Sequence, residues 1–238
     1  MWLGTLYNCL GYCYGEIYQI GQAWEYNFKS EEIARRLFVK YPMARGQLGH
    51  VLGQAETSLV ENLIDQGNLI KAWDRIKATQ QETKNIDFFF NRYQWESRLN
   101  YLAAQILIHR NELGQSEALI HENLEKVRKD LMKKREGSFL RVLGEVQMKR
   151  NENENAITTI NEAIQILGEV GNPRQLWQAH CSLASTLDRM GRHSEAQEQW
   201  GEASEVIQNT ANGLSDRTIR DGFLNAEPII QILAKANA

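Results

Sequence analysis

Apolar residues recur along this chain at intervals of three and four positions, through long stretches that contain no proline. This spacing places the apolar side chains on one face of an α-helix. The strict alternation typical of a half-buried strand does not persist anywhere in the sequence. The pattern therefore predicts an all-α fold.

Small residues within this pattern are spaced as regularly as the large ones. The clearest copy lies between Gly168 and Ser204, and the same offsets recur from Leu143, 40 residues before Leu183. Less regular copies start from Leu10, Leu59 and Leu102, so successive copies are 49, 43, 41 and 40 residues apart. The clearest copy consists of Leu183, Ala184, Leu187, Gly191, Ala196, Trp200 and Ala203.

The small residues have a physical reason. Two antiparallel helices approach closely only where one side chain is small, so Gly and Ala mark helix crossings. Gly and Asn also tolerate the left-handed backbone that ends a helix, and we expect such turns at Gly67-Asn68, Asn151-Glu152 and Gly191-Arg192. The sequence predicts helix pairs over about 3–40, 45–80, 86–132, 134–170 and 174–210, which together form a repeat array over 1–210.

This fingerprint resembles the tetratricopeptide repeat, which places Leu-Gly or Leu-Ala on a first helix and two small residues on a second. Units of that family are typically about 34 residues long, so the copies here have longer helices or loops. The resemblance implies a right-handed superhelical α-solenoid of about five helix pairs. It also implies that the first helices line a concave surface that binds partners.

A capping segment is predicted at 211–238. A polar break at 209–215 is expected to be followed by one short helix around 216–224 and another from Pro228. Their apolar residues are predicted to cover the last repeat pair, namely Ile219, Phe223, Leu224, Ile229, Ile230 and Leu233.

Three segments resemble a narrower group. GNPRQLWQAH at 171–180, LDRMGRHSEAQEQWGEA at 187–203 and GLSDRTIRDGFLN at 213–225 are similar to the C-terminal repeat tail of bacterial multidomain signalling proteins. In those proteins a nucleotide cyclase, a kinase or a DNA-binding module precedes a STAND-type ATPase. This sequence has no phosphate-binding loop ending in Gly-Lys-Ser or Gly-Lys-Thr, so only the repeat tail is expected here.

Composition narrows the classes of function. The chain has 238 residues and a net charge of -3, which does not favour nucleic acid or an anionic membrane as partner. No run reaches transmembrane length, and the apolar start lacks the basic segment of a signal peptide. Three cysteines make an odd number, so we expect no disulfide framework and a cytoplasmic location. Cys9 and Cys13 are predicted to fill the core rather than to bind metal.

No catalytic residue, metal site or cofactor is predicted, so an enzyme is not expected. The five histidines form no close pair at ligand spacing, and His180 is predicted to be partly buried. The aromatic cluster Phe88-Phe89-Phe90, Tyr93 and Trp95 is interpreted as core, with a peptide-binding platform as the alternative.

The expected function is a protein-interaction scaffold that binds a peptide or protein segment on the concave surface. The alternative is a ligand-sensing regulatory domain that controls a fused or bound ATPase, cyclase or kinase. Reversing Arg141 and Arg189 is expected to weaken binding without changing helicity. The predicted groove residues, mostly polar and mixed in sign, are Asn8, Tyr12, Glu61, Asn100, Tyr101, Arg141, Glu145, Lys149, Asp188 and Arg189.

An exposed apolar face is predicted on the first helix. Trp2, Leu3 and Leu6 begin that helix at once, and Leu10 occupies a position that a preceding repeat would help to bury. Such a face is unusual on a soluble monomer. We therefore expect either a homo-oligomer formed through the first helix pair or the tail of a longer polypeptide.

Overall fold

A computed structural model describes residues 2–86 and 92–238. Twelve α-helices and one short 3₁₀ helix, Pro42–Ala44, account for nearly all of these residues, and no strand occurs among them. The α-helices are α1 (Trp2–Glu16), α2 (Ile20–Lys40), α3 (Arg45–Asp65), α4 (Leu69–Thr83), α5 (Arg92–His109), α6 (Leu113–Lys129), α7 (Lys133–Lys149), α8 (Asn153–Val170), α9 (Pro173–Arg189), α10 (His193–Gly213), α11 (Arg217–Leu224) and α12 (Glu227–Ala236).

The chain divides into two compact units, residues 1–106 and residues 107–238. In unit 1, α2 packs against both α1 and α3, and α3 packs against α4. In unit 2, α7 to α10 pack one after another, and α11 and α12 pack on α10. This sequential packing of neighbouring helices confirms the predicted all-α fold of the α-solenoid class.

The regularly spaced small residues lie where helices cross, as the sequence predicts. Ala156, Ile160 and Ala196 are fully buried and form one cluster with Leu183 and Leu187. Close packing in this cluster leaves no room for a larger residue at a crossing point. The regularly spaced small residues therefore mark the positions at which helices contact each other.

The predicted turns are confirmed. Gly67 has φ 72°, Asn151 has φ 63° and Gly191 has φ 73°, so each has the left-handed conformation that ends a first helix. Gly171, in the turn between α8 and α9, has the same left-handed conformation, with φ 71°. Asn172 then caps α9 by accepting a hydrogen bond from the backbone N–H of Gln175 at 3.2 Å.

The end of the chain differs in two respects from the prediction. The polar break expected at 209–215 is shorter, because α10 continues to Gly213. Phe223 and Ile229 are fully buried as expected, and the Phe223 ring lies 5.8 Å from that of Trp177. Ile230 is instead 49% exposed, because it follows Ile229 on α12 and points away from the buried side.

The interpretation of Cys9 and Cys13 as core residues is wrong, since both are exposed. The buried face of α1 is formed by Gly4, Asn8 and Gly11 together with Gly15, which turns both cysteines outward. In the aromatic cluster, Trp95 is buried and Tyr93 is 45% exposed, while Phe88-Phe89-Phe90 lies outside the described residues.

A buried ion network joins α2, α3 and α4. Glu56 is 2% exposed and pairs with Arg35 and with Arg75, whose Nε lies 2.6 Å from a Glu56 carboxylate oxygen. Glu31 contacts the same two guanidinium groups at 2.7 and 2.5 Å. Glu82 adds a third carboxylate 2.9 Å from Arg35. Three carboxylates thus share two guanidinium groups, which favours a proton on one of them.

Glu56 is the carboxylate that holds this proton most readily. Burial and the nearby Glu31 charge raise the pKa of Glu56 to about 7, against the attraction of Arg75 and Arg35. Burial alone would also raise the pKa of Glu31, but Arg35 and Arg75 outweigh it and hold that pKa below its ordinary value. The pKa values of these two neighbouring carboxylates are therefore shifted in opposite directions.

We expect Gly144→Ala to lower the free energy of unfolding by about 1–3 kcal/mol, because overpacking forces buried neighbours to move. A Cβ atom at Gly144 would overlap the fully buried Ile160 side chain and lie 3.3 Å from the Ala156 carbonyl oxygen. The matched control is Gly201→Ala in α10, where a Cβ atom meets nothing within 4 Å. It should raise stability by about 0.5–1 kcal/mol. Urea denaturation measures both, and equal effects would contradict the helix crossing.

We expect the free energy of unfolding of the parent to fall as pH rises from about 5 to about 8, and we expect Glu56→Gln to lack this fall. The folded-state pKa of Glu56, about 7, exceeds the ordinary value of 4.5, so its contribution is fully present below pH 4.5 and is lost as pH rises through 7. Since one pKa unit is worth about 1.4 kcal/mol, the free-energy difference between parent and variant should change by at most about 3.5 kcal/mol.

Urea denaturation at stepped pH measures this difference. Glu82→Gln is the control, because Glu82 is a more exposed carboxylate of the same network. Parallel pH profiles for the parent and Glu56→Gln would show that Glu56 does not titrate in this range.

Candidate interaction surfaces

In unit 1, a row of amide and hydroxyl groups runs from α1 through α2 to α3. The Asn8 side-chain amide donates to Asn27 Oδ1 at 3.1 Å and to Ser58 Oγ at 3.0 Å. Asn27 in turn donates to Asn62 Oδ1 at 2.9 Å. All four side chains are buried, so these bonds fix the relative positions of the three helices.

Arg98 of α5 completes this row and connects it to the surface. Its guanidinium donates to Ser58 Oγ at 3.1 Å and pairs with the Glu61 carboxylate. The Tyr12 ring lies 4.7 Å from the Arg98 Cζ atom, within range of a cation–π interaction. Burial alone would lower the pKa of Arg98, but Glu61 and Tyr12 outweigh it and hold that pKa above its ordinary value.

The structure thus brings two predicted groove residues of unit 1 together, Tyr12 and Glu61, through Arg98, which the sequence analysis did not single out. Asn100 is half-buried on α5 and Tyr101 is only 2% exposed. Asn8 is also buried, so neither Asn8 nor Tyr101 is an accessible groove residue. Asn8 bonds to Asn27 of α2 and Ser58 of α3 instead of facing solvent.

Arg98 could have been recognised by its place in the repeat. It occupies the register of Ala55, Phe139 and Ala179 in three of the other copies, where all three residues are fully buried, and of the exposed Leu6 in the fourth. A charged residue in an otherwise apolar register predicts a buried ion pair. The identity of the partner, Glu61 of α3, depends on packing that the register does not specify.

In unit 2, the central contact joins α7 to α9. Arg141 pairs with Glu145 one turn later on α7, and Ser182 of α9 donates to the same Glu145 carboxylate oxygen at 2.7 Å. The Arg141 side chain is 5% exposed and that of Glu145 is 23% exposed. Glu145 therefore presents a carboxylate to solvent while two neighbours hold it in place.

Three further predicted residues lie at the C-terminal ends of α7 and α9. Lys149 and Arg189 are exposed, and Arg189 donates to Asn151 Oδ1 at 2.9 Å. Asp188 accepts a hydrogen bond from Trp200 Nε1 at 3.2 Å and lies the same distance from His193 Nδ1. These side chains give unit 2 a polar surface that carries both positive and negative charges. Arg141 is buried beneath this surface, so it positions Glu145 but is not itself accessible to a partner.

The chemistry available near these surfaces is limited. Burial raises the pKa of the Cys181 thiol to about 12, so it is protonated and a poor nucleophile near neutral pH. His180 is 8% exposed, as predicted, and its Nδ1 is 2.8 Å from Gln199 Oε1.

Residues 2–86 and 92–238 contain no group of three or more potential metal ligands. None of the helices described there is long and apolar enough to span a membrane.

The sequence matches no family model and no curated protein. The structure is similar to the crystal structure of BtubC (BKLC) from P. vanneervenii, with a TM-score of 0.58. The alignment covers 92% of this chain and 85% of that chain, with 13% sequence identity. At this identity, the similarity shows a shared helical fold alone.

We expect Arg141→Glu to lower the free energy of unfolding by about 3–5 kcal/mol, because it buries an uncompensated carboxylate beside Glu145. This corrects the expectation that the reversal leaves the fold unaffected. Arg189→Glu is the matched control and should change stability by less than about 0.5 kcal/mol, because its side chain is exposed. Circular dichroism during urea denaturation measures both. Equal stability of the two variants would show that Arg141 is not buried.

Proposed function

We propose that this chain is a non-catalytic protein-interaction scaffold that binds an extended peptide or protein segment on a surface formed by the first helix of each helix pair. The fingerprint and the sequential helix packing support a relationship to the tetratricopeptide-repeat class, whose first helices face partners. Three free thiols support action in a reducing compartment such as the cytoplasm.

The main support is Glu145. Its carboxylate is held by Arg141 and by Ser182 at 2.7 Å, yet part of it stays open to solvent. A fixed, partly exposed acceptor can bind a backbone N–H or a basic side chain without the entropic cost of ordering a flexible group. Glu61 in unit 1, held by Arg98, has the same character.

The exposed charges near Glu145 favour a polar polypeptide over other ligands. Lys149 and Arg189 add positive charges to a surface that also holds Asp188 and Glu145. A nucleic acid requires a surface of predominantly positive charge, and this surface is mixed. A peptide with both acidic and basic residues suits it better.

One feature supports ligand sensing as a second candidate function. A cavity of about 500 Å³ opens between α6, α7 and α8 in unit 2, within the size range of small-molecule sites. Buried Leu124, Leu140 and Leu143 form part of its lining, together with the charged Arg128 and Glu162. A bound ligand could shift α6 relative to α8 and so signal to an attached ATPase, cyclase or kinase.

We expect Lys149→Glu combined with Arg189→Glu to weaken peptide binding at least about tenfold, which corresponds to about 1.4 kcal/mol. The peptides would be selected on the intact chain from a random phage-displayed library and measured by fluorescence anisotropy. Both side chains are exposed, so reversing them should remove attraction to acidic residues without unfolding the helices.

Arg217→Glu is the matched control, because its side chain is 91% exposed on α11 and it is not one of the predicted groove residues. Unchanged affinity of the double variant, or an equal loss with Arg217→Glu, would contradict binding on the first helices. If small molecules raise the melting temperature and Thr159→Trp, which fills the cavity, abolishes the shift, ligand sensing is favoured instead.

A further inference from the structure

The turn between α2 and α3 carries apolar side chains into solvent. Val39 is 77% exposed, Tyr41 is 48% exposed and Met43 is completely exposed. Pro42, between the last two, is exposed as well. Single exposed apolar residues are ordinary, but a contiguous group of them marks an interaction surface. Residues 36–45, which hold this group, are called the α2–α3 tip here.

The exposure of Val39 does not depend on what lies beside α1. Ser30 Oγ donates to the Gly4 carbonyl oxygen at 2.8 Å, so Ser30 lies on the side of α2 that faces α1. Val39 follows nine residues later, which is about two and a half helical turns, and therefore lies on the opposite side of α2. The side of α2 that carries Val39 is thus separate from the contact with α1.

The tip extends beyond the end of α4. Glu82, next to the last residue of α4, pairs with Arg35 at 2.9 Å. Helix α4 ends at Thr83, whereas α2 continues for five residues beyond Arg35, to Lys40, which adds about 7 Å of helix. Helices α2 and α3 are 21 residues long and α4 is 15. The apolar side chains therefore lie at the end of a helix pair that projects past its neighbour.

Positive charge surrounds these apolar side chains. Between Glu32 and Glu56 the sequence has four Lys or Arg residues and no acidic residue, although the whole chain has a net charge of -3. Arg35 is held by carboxylates of the ion network, but within the part of the chain that the structure describes no carboxylate pairs with the other three. These exposed cations are Arg36, Lys40 and Arg45.

Two of the cations lie against aromatic rings of α2 and the turn. Lys40 Nζ is 5.3 Å from the centre of the Tyr41 ring, and Arg45 Cζ is 5.2 Å from the centre of the Phe38 ring. Both distances are within the range of cation–π interactions, which hold the charges beside the apolar group without neutralising them. The tip therefore presents apolar and cationic groups together at one projecting point.

We infer that the α2–α3 tip binds peripherally to an anionic lipid membrane. Val39 and Met43 enter the apolar layer, Tyr41 lies at the interface with the headgroups, and the three cations contact lipid phosphates. Each Lys or Arg near an anionic surface adds attraction, and the inserted side chains add apolar burial that charge alone does not provide. This contact uses a different surface from the proposed peptide site and does not depend on it.

The shape and chemistry of the tip favour a lipid surface over a macromolecule. A standard protein interface takes about 20–30 residues from each partner, whereas the tip has ten. A fluid lipid layer adapts to a projecting point and needs no matching groove. A nucleic acid would pair with the cations through its phosphates but would leave Val39 and Met43 without an apolar environment.

Sedimentation of the intact chain with lipid vesicles tests this inference. We expect the chain to bind vesicles of equal parts phosphatidylglycerol and phosphatidylcholine at low ionic strength, and to bind phosphatidylcholine vesicles at least about tenfold more weakly. Met43→Asp should lower the partition coefficient for the anionic vesicles at least about tenfold, because it removes an inserted apolar group. Lys40→Gln should lower it about fivefold, because it removes one charge.

The matched control variants lie at the far end of α4. Ile70, 78% exposed, and Lys71, also exposed, are in its first turn, whereas Glu82 near its other end pairs with Arg35 beside the tip. Ile70→Asp and Lys71→Gln make the same kinds of change away from the tip, so both should bind vesicles like the parent. Circular dichroism of each variant checks that helicity is unchanged.

Three results would overturn the inference. The parent chain could fail to bind the anionic vesicles at low ionic strength, and an acidic peptide that binds the parent but not Met43→Asp would then assign the tip to a protein partner. Equal binding to vesicles with and without phosphatidylglycerol would show that the cations do not contact lipid. Equal losses in Met43→Asp and Ile70→Asp, or no loss in either, would place the membrane contact on another surface.

Discussion

Close approach between helices at small residues is the constraint on which the rest of the structure depends. A Cβ atom at Gly144 would overlap Ile160, and one at Gly53 would lie 2.8 Å from the Trp95 indole nitrogen. At these distances, the large residue of one helix occupies the space that the glycine leaves. Ile160 and Trp95 are almost wholly buried as a result, and each crossing contributes apolar burial that a wider spacing would lose.

The same constraint decides which polar groups can be buried. Gly11 leaves room for the Asn27 amide, which then reaches Asn8 at 3.1 Å and Asn62 at 2.9 Å. Each buried amide has partners on other helices, which offsets the cost of removing it from water. Because a shift of one helix would break several of these bonds together, the row fixes the register of α1, α2 and α3 more narrowly than apolar contacts alone.

The sequence predicts the features that depend on local spacing, and it predicts long-range contacts poorly. The turn at Gly191 and the burial of Ala196 follow from residue type and offset, because both arise within one repeat. Leu131 adopts φ 55°, which its side chain disfavours and which no local signal indicates. Arg98 and Glu61 are 37 residues apart, so their pairing requires the packed structure. Cys9 and Cys13 were misassigned because one-turn spacing identifies a helix face without saying which face is buried.

Buried pairing also limits what the polar surfaces can do. Arg98 of α5 and Arg141 of α7 are buried, and each is already paired with a carboxylate of its own unit. A partner that bound either guanidinium group would first have to break a buried ion pair, which costs several kcal/mol. If these surfaces bind a partner as proposed, selectivity has to come from groups that still reach solvent, such as Glu145, Lys149 and Arg189. The buried arginines set the positions of those groups, so changing one should alter affinity through geometry and stability together, whereas changing an exposed charge should alter attraction alone.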